Sequence, residues 1–271
     1  MAETTEIAWT DATFNPWIGC QKISPGCDHC YAEAQNAYRR WTQWGAHGER
    51  RRTSPANWRK PLAWHKDASA FAHKHGRRRR RVFCASLADV FDNAVHPSMQ
   101  RDLFDLIKAT PSLDWQLLTK RPQNIAAILP PDWGAGYLNV WLGITAEDQT
   151  RFDQRWPILR EIPAYIRFIS YEPAIGALRL DDRLRQPDWL IFGGESGPGA
   201  RVADPQWARD IAHDCFMRDV AFFLKQWGTY GSNPLCFEDR VLASEAARLD
   251  GPENGKGGAL LDGLLWRNFP N

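Results

Sequence analysis

The chain has 271 residues, a formal net charge of +2 and a hydrophobic content of 44%, enough to bury the core of one large barrel or two small domains. No apolar run is long enough to cross a bilayer and the N-terminal residues are polar and acidic, so we expect a cytoplasmic protein with no signal peptide and no membrane partner. Six cysteines at uneven spacings in that compartment indicate metal ligands or buried thiols, not a disulfide framework.

A predicted first strand, at about residues 6–14, leads into a loop with three cysteines. Six residues separate Cys20 from Cys27 and two separate Cys27 from Cys30, in a stretch rich in glycine and proline. Three thiolates on one flexible loop are typical of a metal centre. A structural zinc site usually has two ligand pairs, and this loop has one pair and one outlier. The pattern favours an iron-sulfur cluster with one open iron, while zinc completed by His29 or a distant group, and three unconnected thiols, stay open as alternatives.

The next segment, residues 39–81, is strongly basic. It holds fourteen lysines and arginines, including the run Arg77–Arg81, against only Glu49 and Asp67. Four tryptophans are interleaved with these charges: Trp41, Trp44, Trp58 and Trp64. A basic stretch with aromatic rings is typical of a surface that follows phosphates and stacks bases, so we expect contact with nucleic acid or a nucleotide. A solvated linker anchored by its tryptophans is the alternative.

Beyond residue 81, short apolar runs alternate with amphipathic stretches. Such runs indicate buried parallel strands, which we predict at 82–86, 115–119, 140–144, 167–171, 189–193 and 221–225. Helical spacing predicts helices at about 97–110, 122–129, 148–161 and 205–218, three of them near a proline suited to a helix start. With a first strand and a helix after Cys30, the pattern predicts an α/β fold with a partial or full (β/α) barrel of about six to seven parallel strands. A doubly wound sheet is the alternative.

Polar residues follow these strands at the positions where barrel enzymes place their active sites. The side chains that we select at these strand ends are Ser86, Asp89, Lys120, Thr145, Glu172 and Lys225. The cysteine loop follows the first strand and is expected at the same rim. Helix capping explains any single one of these residues equally well.

The segment Gly193–Gly199 has a similar position after the predicted strand 189–193. Glycine allows the backbone to approach a ligand closely, so Gly193 and Gly194 are candidate ligand contacts, and Glu195 can accept a hydrogen bond from an amine or a ribose hydroxyl. A turn that needs positive backbone angles is the alternative. Residues 229–271 are rich in glycine and asparagine, and we predict an extension that covers the barrel of residues 1–228, in which 39–81 is an insertion.

Several motifs together resemble a phage-associated family of undefined function that looks like a branch of the radical S-adenosylmethionine (SAM) superfamily. The motifs are Trp9–Pro16, Gly19–Cys20, Ser24–Ala32, Ser86–Phe91, Leu118–Pro122, Gly193–Gly197 and Phe223–Gly228. The final Cys-x-x-Cys-Tyr is similar to that of spore photoproduct lyase. Two features depart from the usual superfamily motif: the first cysteine gap is six residues instead of three, and His29 stands where an aromatic ring is common.

The resemblance implies that Cys20, Cys27 and Cys30 hold a 4Fe-4S cluster whose open iron binds SAM. Reduction by a flavodoxin or ferredoxin would cleave SAM to methionine and a 5′-deoxyadenosyl radical that abstracts hydrogen from a substrate. Chemical plausibility then suggests roles for the strand-end residues. Ser86, Lys120 and Thr145 suit the methionine carboxylate or ribose, and Glu172 suits the ribose. Glu195 suits the amino group or the substrate, and Asp89 and Lys225 suit substrate orientation or proton transfer.

The leading hypothesis is a radical SAM enzyme that repairs or modifies a nucleic-acid base or nucleotide, with Glu195 and Lys225 as candidate catalytic residues. A non-catalytic metal-stabilised nucleic-acid-binding protein is the rival from another class. A radical SAM enzyme for a peptide or a small metabolite is the third hypothesis.

Overall fold

A computed structural model of the chain describes residues 5–76 and 79–270. Arg77 and Arg78 of the predicted basic run therefore lie outside the described residues. The described chain forms two compact units. The first comprises residues up to 23, 30–144 and 161–165, and the second comprises 24–29, 145–160 and residues from 166 onward.

Eleven strands and ten α-helices are found in the described residues. The strands are β1 Ala12–Phe14, β2 Trp17–Ile18, β3 Arg51–Arg52, β4 Arg80–Cys84, β5 Leu113–Thr119, β6 Val140–Thr145, β7 Ile166–Tyr171, β8 Trp189–Gly193, β9 Ala221–Gln226, β10 Leu260–Leu261 and β11 Leu264–Leu265. The helices are α1 Tyr31–Arg39, α2 Pro55–Trp58, α3 Lys60–Lys66, α4 Ala68–His75, α5 Pro97–Lys108, α6 Ile125–Ile128, α7 Gln149–Leu159, α8 Pro205–Met217, α9 Pro234–Phe237 and α10 Ala243–Asp250. None of these helices is both long and apolar enough to span a membrane.

In the first unit, parallel pairing joins β1 to β4, β4 to β5 and β5 to β6. Residues of these strands are almost entirely buried, as expected for continuous apolar runs in a parallel sheet. The rings of Phe14 and Trp115 meet edge to face with centroids 5.6 Å apart. Aromatic packing of this kind stabilises the core of the unit.

In the second unit, β7 pairs with β8 and β8 with β9, again in parallel. The fully buried Trp189 packs edge to face on Phe223, with ring centroids 5.9 Å apart. Asp148 and Asp204 cap α7 and α8 by accepting hydrogen bonds from backbone N–H groups in their first turns.

The principal sheet has seven strands in the order β1-β4-β5-β6-β7-β8-β9, so the strands follow one another in chain order. This confirms the predicted mixed α/β fold with a partial (β/α) barrel of parallel strands. A doubly wound sheet reverses its strand order at a switch point, and this order does not. The predicted helices that start at Pro97 and Pro205 are also confirmed.

Two predicted segments differ from the structure. The N-terminal strand covers only Ala12–Phe14, because a turn in which Thr10 N–H donates to the Ile7 carbonyl precedes it. Residues 229–270, predicted only as an extension, contain a short hairpin, β10–β11, and the unpredicted helices α9 and α10. These residues belong to the second compact unit, and the predicted domain boundary at residue 228 stays a prediction.

Candidate functional site

The three loop cysteines are free thiols that are neither buried nor fully exposed. Cys20 follows β2, Cys27 ends a single 3-10 turn that begins at Pro25, and Cys30 directly precedes α1. Of the three cysteines outside the loop, Cys84 and Cys215 are buried, whereas Cys236 is partly exposed. Within residues 5–76 and 79–270, no three His, Cys, Asp or Glu side chains are grouped as a metal site, and the predicted ligand set stays a prediction.

In the first unit, the Cys20 thiol lies against a buried ion pair. The Arg121 Nη1 lies 3.7 Å from Cys20 Sγ and 2.9 Å from Asp89 Oδ2. Burial raises the pKa of the Cys20 thiol to about 11, and the Asp89 charge adds to this effect while Arg121 opposes it. Arg121 Nη2 also donates to the Gln21 carbonyl at 3.1 Å.

Asp89, a predicted cofactor-binding residue, is only 5% exposed and accepts hydrogen bonds from neighbours in the same unit. Its oxygens accept from the Thr119 hydroxyl at 2.7 Å, from Phe91 N–H at 2.9 Å and from Lys120 N–H at 3.3 Å. Asp89 thus fixes Arg121 and the end of β5. An acidic side chain at position 89 is therefore explained by these contacts within the protein, without a ligand.

Ser86 lies just after β4 and joins the ends of β1 and β4. Its hydroxyl accepts from Asn15 Nδ2 at 2.9 Å, and Asn15 Oδ1 in turn accepts from Leu87 N–H at 2.7 Å. The Tyr31 hydroxyl, at the start of α1, donates to the Ser86 carbonyl at 2.6 Å. The start of α1, directly after Cys30, is therefore tied to the carboxyl end of β4.

In the second unit, Glu195 is at the centre of an ionic cluster. His29 Nδ1, Arg201 Nε and the Arg201 backbone N–H lie 2.8, 2.9 and 2.9 Å from Glu195 Oε2. Burial would raise the pKa of Glu195, but hydrogen bonds from Arg201 and His29 outweigh it and lower the pKa to about 2. Arg201 also donates to the Pro25 carbonyl at 2.9 Å and to Asp28 at 3.3 Å.

A second buried carboxylate in this unit contacts the cysteine loop. Glu147 is fully buried, pairs with Arg155 Nη1 at 2.7 Å and accepts from Gly26 N–H at 3.3 Å. Arg155 also donates to the carbonyl of Thr145, which is itself buried. Glu147, Arg155 and Arg201 were not selected from the sequence. Glu147 and Arg201 follow β6 and β8 in the chain, whereas Arg155 lies within α7.

Glu172, which directly follows β7, forms an ion pair with Lys225, which lies near the end of β9. Lys225 Nζ is 2.8 Å from Glu172 Oε1, and the Ser170 hydroxyl donates to Glu172 Oε2 at 3.2 Å. Two of the predicted site residues are therefore brought together. The roles proposed for them in ribose binding and proton transfer stay predictions.

The glycines Gly193 and Gly194 have a packing reason to lack a side chain. A Cβ atom on Gly194 would lie 1.9 Å from the Trp227 carbonyl oxygen, and one on Gly193 would lie 2.6 Å from Glu172 Oε1. The Trp227 backbone therefore requires glycine at position 194, whereas a side chain at position 193 would force the Glu172 side chain to shift. Their predicted contact with a ligand stays a prediction.

Many charges of the basic segment are neutralised inside the first unit. Arg50 is buried against Asp92 at 2.7 Å, and Arg52 pairs with Asp102 at 2.7 Å while its guanidinium covers the Trp58 ring. Arg79, Arg80 and Arg81 each pair with an aspartate. Trp64 is only 4% exposed, so the prediction that its ring is available for base stacking is wrong. The burial of this ring in the core outweighs its position in a charged stretch.

A family model described as "Protein of unknown function (DUF5131)" matches residues 4–270. The chain belongs to this family. Comparison with curated proteins and with solved structures finds no match in either set. Membership of DUF5131 names no substrate or cofactor, so the chemistry must be inferred from the side chains described above.

Proposed function

We propose that the protein is a radical SAM enzyme that binds a 4Fe-4S cluster and acts on a nucleic-acid base or a nucleotide. The observation that carries the proposal is the donor set of the loop: three free, partly exposed thiols within residues 20–30, which follow the first strand of a parallel α/β sheet. The resemblance to a phage-associated radical SAM branch belongs to this proposal. So does the cytoplasm as the expected compartment.

The residues fit a cluster in their chemistry. Thiolates are the ligands that iron-sulfur clusters take, and three of them leave one of the four irons open. The Arg121 Nη1 that lies 3.7 Å from Cys20 Sγ is a further point of fit, because hydrogen bonds to ligand sulfurs tune such clusters. Cys20, Cys27 and Cys30 would hold the group. When bound, it supplies the electron that cleaves SAM, delivered by a flavodoxin-like or ferredoxin-like reductant.

The chain's own residues would orient the cofactor and substrate. Glu172, fixed by Lys225 and Ser170, keeps free lone pairs on both oxygens and suits a ribose hydroxyl. Lys225 can hold or release a proton toward that same carboxylate. Glu195 suits an amine less well than its position after β8 suggested, since both of its oxygens already accept hydrogen bonds from Arg201. We therefore assign Lys225 the stronger claim to a role near the substrate.

Exposed basic residues support a nucleic-acid substrate. Apart from the paired arginines, the described part of the basic segment exposes Arg39, Arg40, Arg59, Lys66 and Lys74. Such groups bind phosphates without reading base sequence. A non-catalytic nucleic-acid-binding protein would use the same residues, and SAM cleavage separates it from the enzyme.

Cluster reconstitution under anaerobic conditions tests the enzyme directly. We expect about four irons and four sulfides per wild-type chain, and methionine with 5′-deoxyadenosine when dithionite and SAM are added. C20A, C27A and C30A should each lose the cluster, whereas C236A, which removes a partly exposed cysteine outside the loop, should keep it. Zinc alone in the wild type, or equal iron in C27A and wild type, would rule the proposal out.

A further inference from the structure

The loop that carries the cysteines has little regular structure of its own. Between Gly19 and Cys30 the described backbone forms one 3-10 turn, Pro25–Cys27, in which Cys27 N–H donates to the Ser24 carbonyl. A loop of this kind must lose conformational entropy before it can present ligands in a fixed arrangement. Contacts from outside the loop therefore decide whether its conformation exists before a cluster binds.

In the first unit, Arg121 supplies such a contact at the Cys20 end of the loop. Its side chain is 4% exposed, and Asp89 balances its charge at 2.9 Å. Nη1 donates to Asp89 and also lies 3.7 Å from Cys20 Sγ, and Nη2 donates to the Gln21 carbonyl at 3.1 Å. The planar fork of arginine allows these bonds at once, which a lysine ammonium on a flexible stem does not reproduce.

In the second unit, Arg201 supplies the equivalent contact at the Cys27 end. Its Nε binds Glu195 Oε2 at 2.9 Å, its Nη2 reaches the Pro25 carbonyl at 2.9 Å and its Nη1 reaches Asp28 at 3.3 Å. Glu195 adds a bond of its own to the loop through His29 Nδ1 at 2.8 Å. Charge-assisted bonds of this kind are stronger than bonds between neutral groups.

We propose that Arg121 and Arg201, anchored by Asp89 and Glu195, are positioning residues that each order one part of the cysteine loop within their own unit, around Cys20 in the first and around Cys27 in the second, before any cluster is bound. In each case a carboxylate that is 5% exposed and follows a strand orients an arginine, and that arginine donates to a loop carbonyl. The part of this inference that concerns cluster binding rests on the proposed function. It gives Glu195 a positioning role instead of a catalytic one.

Hydrogen exchange of the full chain before reconstitution tests the positioning role. We expect amides of residues 20–23 to exchange at least about fivefold faster in R121K, and amides of residues 24–29 to do so in R201K, than in wild type, because a lysine cannot make the several simultaneous bonds that each arginine makes. R209K is the control matched to R201K, since Arg209 is similarly exposed and also pairs with two acids, Asp262 and Glu238, and its described hydrogen bonds go to these acids and not to the loop. Loop exchange that is equal in R121K, R201K, R209K and wild type would overturn the inference.

Because Arg121 is buried, R121K could fail to fold, and a second variant therefore tests the inference independently. E195Q keeps the shape of the side chain and removes its charge, and D262N makes the same change at the Arg209 pair. Amides of residues 24–29 should exchange faster in E195Q than in wild type, and at the wild-type rate in D262N. Equal loop exchange in these two variants would also overturn the role of Arg201.

Cluster measurements separate this inference from the proposed function. After reconstitution, R121K should lower the reduction potential relative to R209K, because a hydrogen bond to a ligand sulfur stabilises the reduced form. If the wild type binds no iron while loop exchange responds as expected, the proposed function fails and the positioning role stands. If the wild type binds its cluster and loop exchange does not respond, the positioning role fails and the proposed function stands.

Discussion

The carboxylate of Glu195 links electrostatics to loop order in the second unit. Burial would raise its pKa, and the hydrogen bonds from Arg201 and His29 instead lower it to about 2. The unfolded-state pKa of a glutamate is about 4.3. A group whose folded pKa is depressed stabilises the folded state above its unfolded pKa and loses that contribution as the pH falls through the folded pKa.

This difference predicts the pH dependence of E195Q. At pH 7 the free energy of unfolding of E195Q should be about 1–3 kcal/mol smaller than that of the wild type, because a buried, charge-assisted network is broken. The difference should shrink as the pH falls from about 4.5 to about 2, where the wild-type carboxylate also becomes neutral. Urea unfolding across this pH range measures it.

D181N is the control for that experiment. Asp181 also has a pKa lowered to about 2, by its hydrogen bonds with Arg183, but this pair lies at the surface. Exposed ion pairs contribute little to stability, so D181N should resemble wild type at every pH. An E195Q variant as stable as D181N at pH 7 would contradict the role given to the Glu195 cluster.

In the Asp89–Arg121 and Glu195–Arg201 pairs, the sequence led us to select the carboxylate and to miss the arginine. Asp89 and Glu195 stand out because acids at the ends of apolar strands are conspicuous. Arg121 and Arg201 do not, since their importance depends on where the following turn directs a long side chain. The carbonyls of Gln21 and Pro25 that they contact are 100 and 176 residues away in the chain.

Among the elements, the long strands were predictable and the short helices were not. Strands β5 to β9 are nearly continuous apolar runs, and burial on both faces produces that pattern. Helices α2 and α9 have four residues each, too few for helical periodicity to register. They are set by local caps: the Ser54 and Asn233 side chains accept hydrogen bonds from the first turns.

The helices α2 to α4 mark the part of the basic segment that we expect to bind nucleic acid. Arg59, Lys66 and Lys74 are exposed there, whereas Arg79, Arg80 and Arg81 are engaged in ion pairs. Charge reversal of the arginine run would therefore disturb the fold. The triple variant R59Q/K66Q/K74Q is a cleaner probe, since it removes three charges outside those ion pairs.

We expect this triple variant to bind a fluorescent single-stranded oligonucleotide more weakly than wild type. Log affinity falls as log salt concentration rises, and the steepness of this fall should be smaller by about 2 in the variant, because three phosphate contacts are lost at about 0.7 each. R183Q/R185Q/R248Q removes the same charge from exposed positions of the second unit and should keep the wild-type slope. Equal slopes in the two triple variants, measured by anisotropy, would argue for a peptide or small-metabolite substrate.

At the scale of the whole molecule, strand number and order were predictable and the partition into units was not. Alternating apolar and amphipathic stretches determine a parallel sheet in chain order, which is what the strands form. The units instead combine distant segments: residues 24–29 belong with 145–160 and the C-terminal half. Contacts such as Gly26 N–H to Glu147 create this association, and no local pattern reveals them.

The structure also changes the estimate of how much positive charge the protein exposes. The basic segment dominates the sequence, yet five of its fourteen cations pair with Asp11, Asp67, Asp92, Asp102 and Asp114. What remains exposed is a smaller set of cations. A count of charges therefore overestimated the surface available to a polyanion.

The central claim is that the three loop cysteines hold a cluster with an open iron. Electron paramagnetic resonance of anaerobically purified, dithionite-reduced protein, recorded with and without SAM, tests it most directly. We predict a reduced-cluster signal that shifts when SAM is added, that is absent from C27A and that is retained in C236A. A protein that contains only zinc, or a fully reconstituted cluster whose signal is indifferent to SAM, would contradict it.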